Sequence, residues 1–345
     1  MTKQNQTNKL LKNFVNGSQI LSKFEQTKSQ QFLIEGVLPE TSSLTCLYGK
    51  HGSYKSFVVL DMSLCLSHGT DYHGHKVKQQ NVLYVSGEGS GGLWKRIIAW
   101  HKHNGIDDIS DNFSVYETSI NLRSDIERSE FIQAIQTLKN KPDIIVFDTL
   151  SRCFGDAEEN SNSDMSAFVR SCDCINEQVN SKIIIVHHSG KDASKGARGG
   201  SALAAAVDTE ILIKSEKDNF CKLQITKQKN HEQSEPLRFK ALEIPLGEAE
   251  GVLLKSLALK IFNNFNKDKN LPLTGNRGAV LNALKLAIEE GGGDKQAVSY
   301  QAWKLKYFDF NKSNSNRSLF SQYHKVLKEA GMVEEIEPDL FTVTC

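Results

Sequence analysis

The sequence has little that would take it to a membrane or out of a cell. No apolar run approaches the ~20 residues needed to span a bilayer. The start, Met1-Thr2-Lys3-Gln4-Asn5-Gln6, lacks the apolar core of a signal peptide, so the expected location is the cytoplasm. Paired cysteine motifs are also missing. The seven cysteines, at 46, 65, 153, 172, 174, 221 and 345, form no two C-x-x-C units, which argues against a zinc site and for reduced thiols packed as small hydrophobes. Charge of one sign is lacking too. With 42 Lys and Arg against 41 Asp and Glu the net charge is +1, so any DNA contact must be focused in a few loops.

What is present is the composition of a globular protein, 39% hydrophobic and 24% charged. The length allows two domains, or one large α/β domain with an appendage. Residues 1–30 form a polar arm with apolar marks at Leu10, Leu11, Phe14, Val15, Ile20, Leu21 and Phe24. It reads as a loosely ordered terminus or as an amphipathic helix that docks on a neighbouring subunit. From 31 to 262, strand-like and helix-like segments alternate, the signature of a mainly parallel sheet covered by helices. Strands are expected at 44–48, 81–85, 113–117, 143–147, 181–186 and 209–213. Two further strands, 220–226 and 239–244, would extend the sheet in antiparallel fashion. Between the earlier strands, Ile126, Phe131, Ile132, Ile135 and Leu138 mark one amphipathic helix, and Met165, Phe168, Val169, Cys172, Ile175 and Val179 another. Residues 263–272 are a polar linker. Residues 273–345 read as three helices and a hairpin, the pattern of a small winged helix-turn-helix.

The chemistry begins at Leu44-Thr45-Cys46-Leu47-Tyr48-Gly49-Lys50-His51-Gly52-Ser53-Tyr54-Lys55-Ser56. An apolar strand runs into a glycine-bearing loop, which delivers Lys55 and Ser56 to the start of a helix. Backbone N–H groups of Gly49, Lys50, His51, Gly52, Ser53, Tyr54, Lys55 and Ser56 would cradle the phosphates of ATP. Lys55 would place its charge on the β and γ phosphates, and the Ser56 hydroxyl would hold Mg²⁺. Tyr54 stands where G-x-x-x-x-G-K-[ST] expects a second glycine, and a side chain there narrows the room for backbone approach.

Three more strand ends carry polar residues. After 81–86 comes Gly87-Glu88-Gly89-Ser90-Gly91-Gly92. This satisfies G-x-G-x-x-G, but Glu88 would set a carboxylate beside a pyrophosphate. Polarising the water that attacks the γ phosphate suits it better. Asp143-Ile144-Ile145-Val146-Phe147-Asp148 is a buried strand whose terminal Asp148 would orient Mg²⁺ through its water shell. Ile183-Ile184-Ile185-Val186-His187-His188 ends in a pair whose members point to opposite faces and so cannot chelate together. His187 is the candidate γ-phosphate sensor.

These motifs, together with Arg198-Gly199-Gly200-Ser201-Ala202-Leu203, resemble in order the RecA-type ATPase core. The likeness extends to the RepA-like hexameric replicative helicases of plasmids and phages, relatives of the DnaB helicases, and it covers about two thirds of the chain. It implies a RecA-like P-loop NTPase with ATP and Mg²⁺ as cofactors, a homo-oligomer, a hexamer in that family, and single-stranded DNA as partner. Of the loops facing the channel, the one holding Lys191, Lys195 and Arg198 would track the DNA backbone. Lys227 and Lys229, spaced to share one face of a strand, would reach the γ phosphate held by the next subunit, as the K-x-K or K-x-R pair does in that family. The last 75 residues lie outside the resemblance. With nine Lys or Arg against nine Asp or Glu from Leu271 on, they could meet duplex DNA or a replication protein. A KaiC-like ATPase that remodels a protein partner, or a DNA-binding regulator of replication or transcription, are the alternatives.

Overall fold

The computed structural model describes residues 14–27, 32–87, 91–190, 201–249, 251–262, 275–291, 297–310, 316–329 and 332–343. They divide into two compact units, Met1–Ile261 and Phe262–Cys345.

In the first unit, helix α1 (Gly17–Thr27) and a small antiparallel pair, β1 (Phe32–Ile34) and β2 (Leu38–Pro39), precede the main sheet. The elements that follow are β3 (Leu44–Gly49), α2 (Lys55–His68), β4 (Val82–Ser86), α3 (Gly91–Asn104), β5 (Phe113–Tyr116), α4 (Asp125–Thr137), β6 (Ile144–Asp148), α5 (Leu150–Cys153), α6 (Asn162–Val179), β7 (Lys182–His188), α7 (Ser201–Ala206) and β8 (Thr209–Ser215). Strands β9 (Phe220–Gln228), β10 (Leu237–Ala249) and β11 (Val252–Ile261) complete a nine-stranded sheet of order β11-β10-β9-β8-β3-β7-β6-β4-β5. From β5 to β8 the pairing is parallel, and from β8 to β11 antiparallel.

The parallel part follows from composition. Strands β3, β4 and β6 are buried along their whole length, and near-continuous apolar runs suit strands covered on both faces. One core holds α2, α3 and the alternate residues Val82, Tyr84, Ile144, Val146, Ile184 and Val186. The other holds α4, α6 and the intervening Leu83, Val85, Ile145, Phe147, Ile183 and Ile185, as the period of two requires. Helix α2 is buried on nearly every side. Its Asp61 accepts a hydrogen bond from Trp100 Nε1 of α3 at 2.6 Å and faces His73 Nε2 at 2.6 Å, so the helix behind the P-loop is fastened to its neighbours by a buried carboxylate.

Two features of this unit differ from the sequence reading. The β10–β11 hairpin is far longer than the expected 239–244 strand, because β11 buries little beyond Ala258 and Leu259 and so shows no clean alternation. Helix α4 leaves Ile126 exposed and ends at Thr137, before Leu138. Of the two readings of the arm, the described part, α1, is the helical one.

The second unit has α8 (Gly275–Gly291), β12 (Val298–Ser299), α9 (Tyr300–Phe310), α10 (Asn316–Glu329), β13 (Val333–Glu337) and β14 (Leu340–Val343). Its strands form a three-stranded antiparallel sheet, β12-β14-β13, one strand more than the expected hairpin. The core is its own: Trp303 is fully buried among Val280, Leu284, Tyr307, Phe320 and Phe341, and its Nε1 donates to Val280 O at 2.7 Å. The 263–272 linker lies outside the described residues.

Candidate active site

The parallel strands bring their carboxyl ends to one edge, where open α/β sheets bind ligands. Gly49 ends β3 there. A Cβ on it would stand 2.2 Å from Ile213 O and 2.7 Å from Ser53 Oγ, so β3 can pass this close to β8 only as glycine. The loop turns through Gly52 at φ +72° and Tyr54 at φ +68°. Tyr54 thus adopts the left-handed conformation that the motif's glycine supplies, at a cost of ~1–2 kcal/mol for a residue with a Cβ. Its ring packs near Phe57, with centroids 6.2 Å apart, and its hydroxyl donates to Asn219 Oδ1 at 3.3 Å.

Above the loop lies a cavity of about 340 Å³ lined by His51, Gly52, Ser53, Tyr54, Lys55, Ser56, Phe57, Arg96, Thr149 and His188. Lys55 is buried and its Nζ donates to Lys50 O at 2.8 Å. Ser53 Oγ is buried with no protein hydrogen-bond partner, and beside Gly52 there is open space. A glycine-opened loop, an orphaned buried hydroxyl and a desolvated ammonium fit a polyphosphate, so the residues present suit ATP. Arg96 extends over the Phe57 ring at 4.8 Å, which gives the cavity an aromatic and cationic wall beyond the phosphate loop.

Asp148 closes β6, opposite Val186 of β7 and Ser86 of β4. It is 7% exposed, and its Oδ2 accepts from Tyr84 OH at 2.6 Å. Ser56 lines the cavity and Asp148 ends a strand of the same edge, the hydroxyl and carboxylate that would hold Mg²⁺ between them, one directly and one through water. Gly87 is pinned beside Asp148 by its N–H to Asp148 O at 2.9 Å. Glu88, next in the chain, lies outside the described residues.

At the end of β7 the structure separates the two histidines. His187 is fully buried, whereas His188, in register with Gly49, lines the cavity. Of the pair, His188 is the one that lines the cavity, and the expected His187 does not. Lys191, Lys195 and Arg198 lie outside the described residues. Their segment follows β7 from this edge, where Ser189 N donates to Gly49 O at 3.0 Å.

Lys227 and Lys229 are at the other edge. β9 runs against β8, with Gln228 opposite Thr209 and Cys221 opposite Ser215, so both lysines sit by the amino ends of the parallel strands, away from their own P-loop. Lys227 Nζ donates to Ala204 O of α7 at 2.7 Å, and Lys229 Nζ to Asp208 Oδ1 at 3.1 Å. The register slips between Glu210 and Ile211, and such a bulge re-aims a side chain. Beneath it Glu210 is buried, its carboxyl pushed up by desolvation and pulled down by Lys227. Arg96, Phe57, Thr149 and His188 had no role in the sequence reading. Only His188 carried a usable signal, its place one residue beyond His187.

A family model described as AAA domain matches residues 15–194, more than half of the chain, from α1 through the P-loop and the Asp148 strand to just past β7. The chain belongs to the AAA domain family. The fold is a mainly parallel sheet between helical layers with a P-loop at its carboxyl edge, and as a member of this family the chain is an ATPase. Among solved structures, one described as the crystal structure of the RadB recombinase aligns over 60% of this chain and 88% of its own, with 16% identity and a TM-score of 0.42, a likeness too distant to carry an argument. No curated protein matches. Among the described residues no helix is long and apolar enough to cross a membrane, and no cluster of three or more His, Cys, Asp or Glu could hold a metal ion.

Proposed function

We propose that this AAA domain ATPase is a ring-forming, ATP-dependent DNA translocase or helicase that works on single-stranded DNA, in the replication of a plasmid, phage or other mobile element. The observation that carries the reading is the end of β7. There His188 lines the phosphate cavity, and the chain continues directly into the segment with Lys191, Lys195 and Arg198. A γ phosphate gained or lost at His188 would shift the start of the basic segment that follows β7, which is the coupling a DNA motor needs.

In this reading Glu88 polarises the attacking water, Lys55 neutralises the β and γ phosphates, and Ser56 with Asp148 holds Mg²⁺. Bound Mg²⁺ would draw charge from the phosphate oxygens; the protein's own part is to place the cation, position the water and exclude solvent. Lys227 and Lys229, far from their own P-loop, would serve the nucleotide of a neighbouring subunit in a hexamer. The Phe262–Cys345 unit is read as a winged helix.

A second reading has an observation in its favour. The β13–β14 hairpin, the wing in that interpretation, exposes Glu334, Glu335, Glu337 and Asp339, a sign of charge that repels duplex phosphate. This favours a protein partner for the C-terminal unit, and with it a KaiC-like remodelling ATPase. ATP hydrolysis measured with no DNA, with single strands and with duplex decides between them. The motor reading expects turnover to rise severalfold with single strands; a rate unchanged by any DNA rejects it.

A further inference from the structure

The core that α4 and α6 share with the sheet stops at β8, whose Leu212 is its outermost strand residue. The core of α2 and α3 runs on across the antiparallel strands through Leu223, Ile225, Leu237, Phe239 and Leu259. Beyond β8 the sheet therefore has one packed face, and the alternate residues carry the other. That other face is basic. Lys222 of β9 stands opposite both Lys214 of β8 and Arg238 of β10, and Lys240 of β10 stands opposite both Phe220 of β9 and Lys260 of β11. Lys214, Lys240 and Lys260 are exposed, and Lys222 and Arg238 half-buried.

Like charges directly opposite one another destabilise an antiparallel pair. Here three such pairs lie side by side, Lys214–Lys222, Lys222–Arg238 and Lys240–Lys260. Among the described residues Arg238 alone of these five has an ion pair, its Nε donating to Glu216 Oε2 at 2.6 Å. Lysines on an edge strand discourage pairing with another chain, but that accounts for Lys260 of β11 and not for the rows inside the sheet. A partner that brings negative charge would relieve all three pairs at once. Between the two rows the Arg238 guanidinium lies over the Phe220 ring, 4.1 Å from its centroid, and Lys240 Nζ is 5.5 Å from the same centroid.

A planar cation backed by a ring and set among lysines is a surface on which a base can stack while phosphates meet the ammonium groups. Sequence-tolerant binding of single strands uses that combination. An acidic peptide has no base to lay there, and in a duplex the bases are already stacked on one another. We propose that the open face of β8–β11 binds single-stranded nucleic acid, with a base on Arg238 and the backbone along Lys214, Lys222, Lys240 and Lys260. This is a second site, made of residues other than Lys191, Lys195 and Arg198. The inference rests on the proposed function for the class of ligand and not for the place where it binds.

The test uses the full-length chain, the triple variant Lys222→Gln/Lys240→Gln/Lys260→Gln, and Arg238→Lys. The triple variant breaks every like-charged pair, so at low salt it should melt no lower than the unaltered chain. A lower melting temperature would mean that the lysines serve the fold, and it overturns the proposal. Binding of a fluorescein-labelled oligothymidylate is then followed by anisotropy across a range of salt. The triple variant should bind about tenfold more weakly at low salt, and its plot of log Kobs against log salt should lose a slope of about 2, three contacts at ~0.7 each. Arg238→Lys keeps the charge and loses the plane, so it should weaken binding severalfold at an unchanged slope. A triple variant with unaltered affinity and slope overturns this site and leaves the motor reading intact. Arg238→Lys that binds as tightly as the unaltered chain, or displacement of the strand by duplex or polyglutamate of equal charge, overturns the single strand as occupant. An unaltered chain that binds no single strand overturns both the site and the motor reading.

Discussion

At the residue scale the site turns on Tyr54. Its left-handed backbone costs ~1–2 kcal/mol, and glycine would remove that cost but add ~0.4–1 kcal/mol of unfolded-chain entropy and lose the ring contact with Phe57. Tyr54→Gly should therefore shift the melting temperature little. It should tighten ATP binding, because the loop can approach the phosphates more closely. Calorimetric titration with a non-hydrolysable ATP analogue checks this, and weaker binding would make the ring a nucleotide contact instead of an obstruction. Lys55→Ala removes the one buried ammonium of the cavity and should lower turnover by about 10²–10³-fold in a chain whose circular dichroism is unchanged. Glu88→Gln should keep ATP binding and lose about 10²–10⁴ in rate. Lost binding with normal turnover would remove Glu88 from catalysis.

Glu210 supplies a pH dependence whose sign can be worked out. Burial raises its folded-state pKa above 4.5, so its stabilising contribution is complete below that value and is lost as pH rises through the folded pKa. Glu210→Gln should then melt higher than the unaltered chain at neutral pH, with the gain vanishing in acid. A variant that instead melts lower at neutral pH, with the loss vanishing in acid, would show that Lys227, and not desolvation, governs the group.

At the scale of elements, what the sequence made legible followed burial. Strands such as Ile144–Asp148 lie between two helical layers, and their unbroken apolar runs announce both the strand and the polar residue that ends it. The P-loop was readable because Gly49, Lys55 and Ser56 are bound to one another by spacing alone. Strand β11 was not, because half-exposed residues carry no period. Nor was the parity at the end of β7. Which of His187 and His188 enters the cavity depends on the register with Gly49, a long-range fact that neither strand contains. Lys227 and Lys229 were readable as a pair but not in their destinations, which a bulge and the antiparallel turn of β9 determine. Lys227→Ala/Lys229→Ala is expected to be nearly inactive alone and to regain activity when mixed with Glu88→Gln, at junctions where an intact Glu88 meets an intact lysine pair. Normal DNA-stimulated hydrolysis by the double lysine variant would end the shared-site proposal.

At the scale of the whole molecule, neither of the first unit's two cores shares a residue with the second unit's core, so the ATPase unit should stand without the C-terminal one. A chain ending at Phe262 is expected to fold and hydrolyse ATP. If the second unit only targets the protein, DNA stimulation should survive the deletion, and its loss would place that unit in the DNA path. The antiparallel return of β9 has one more consequence, and it is kinetic. If the lysine pair serves a neighbouring subunit as proposed, then one copy, with the phosphate loop at one end of the parallel strands and the lysines at the other, holds two half-sites facing opposite ways. Specific activity, ordinarily constant for an enzyme, should then fall on dilution, and the rate should climb more steeply than the first power of protein concentration until assembly is complete.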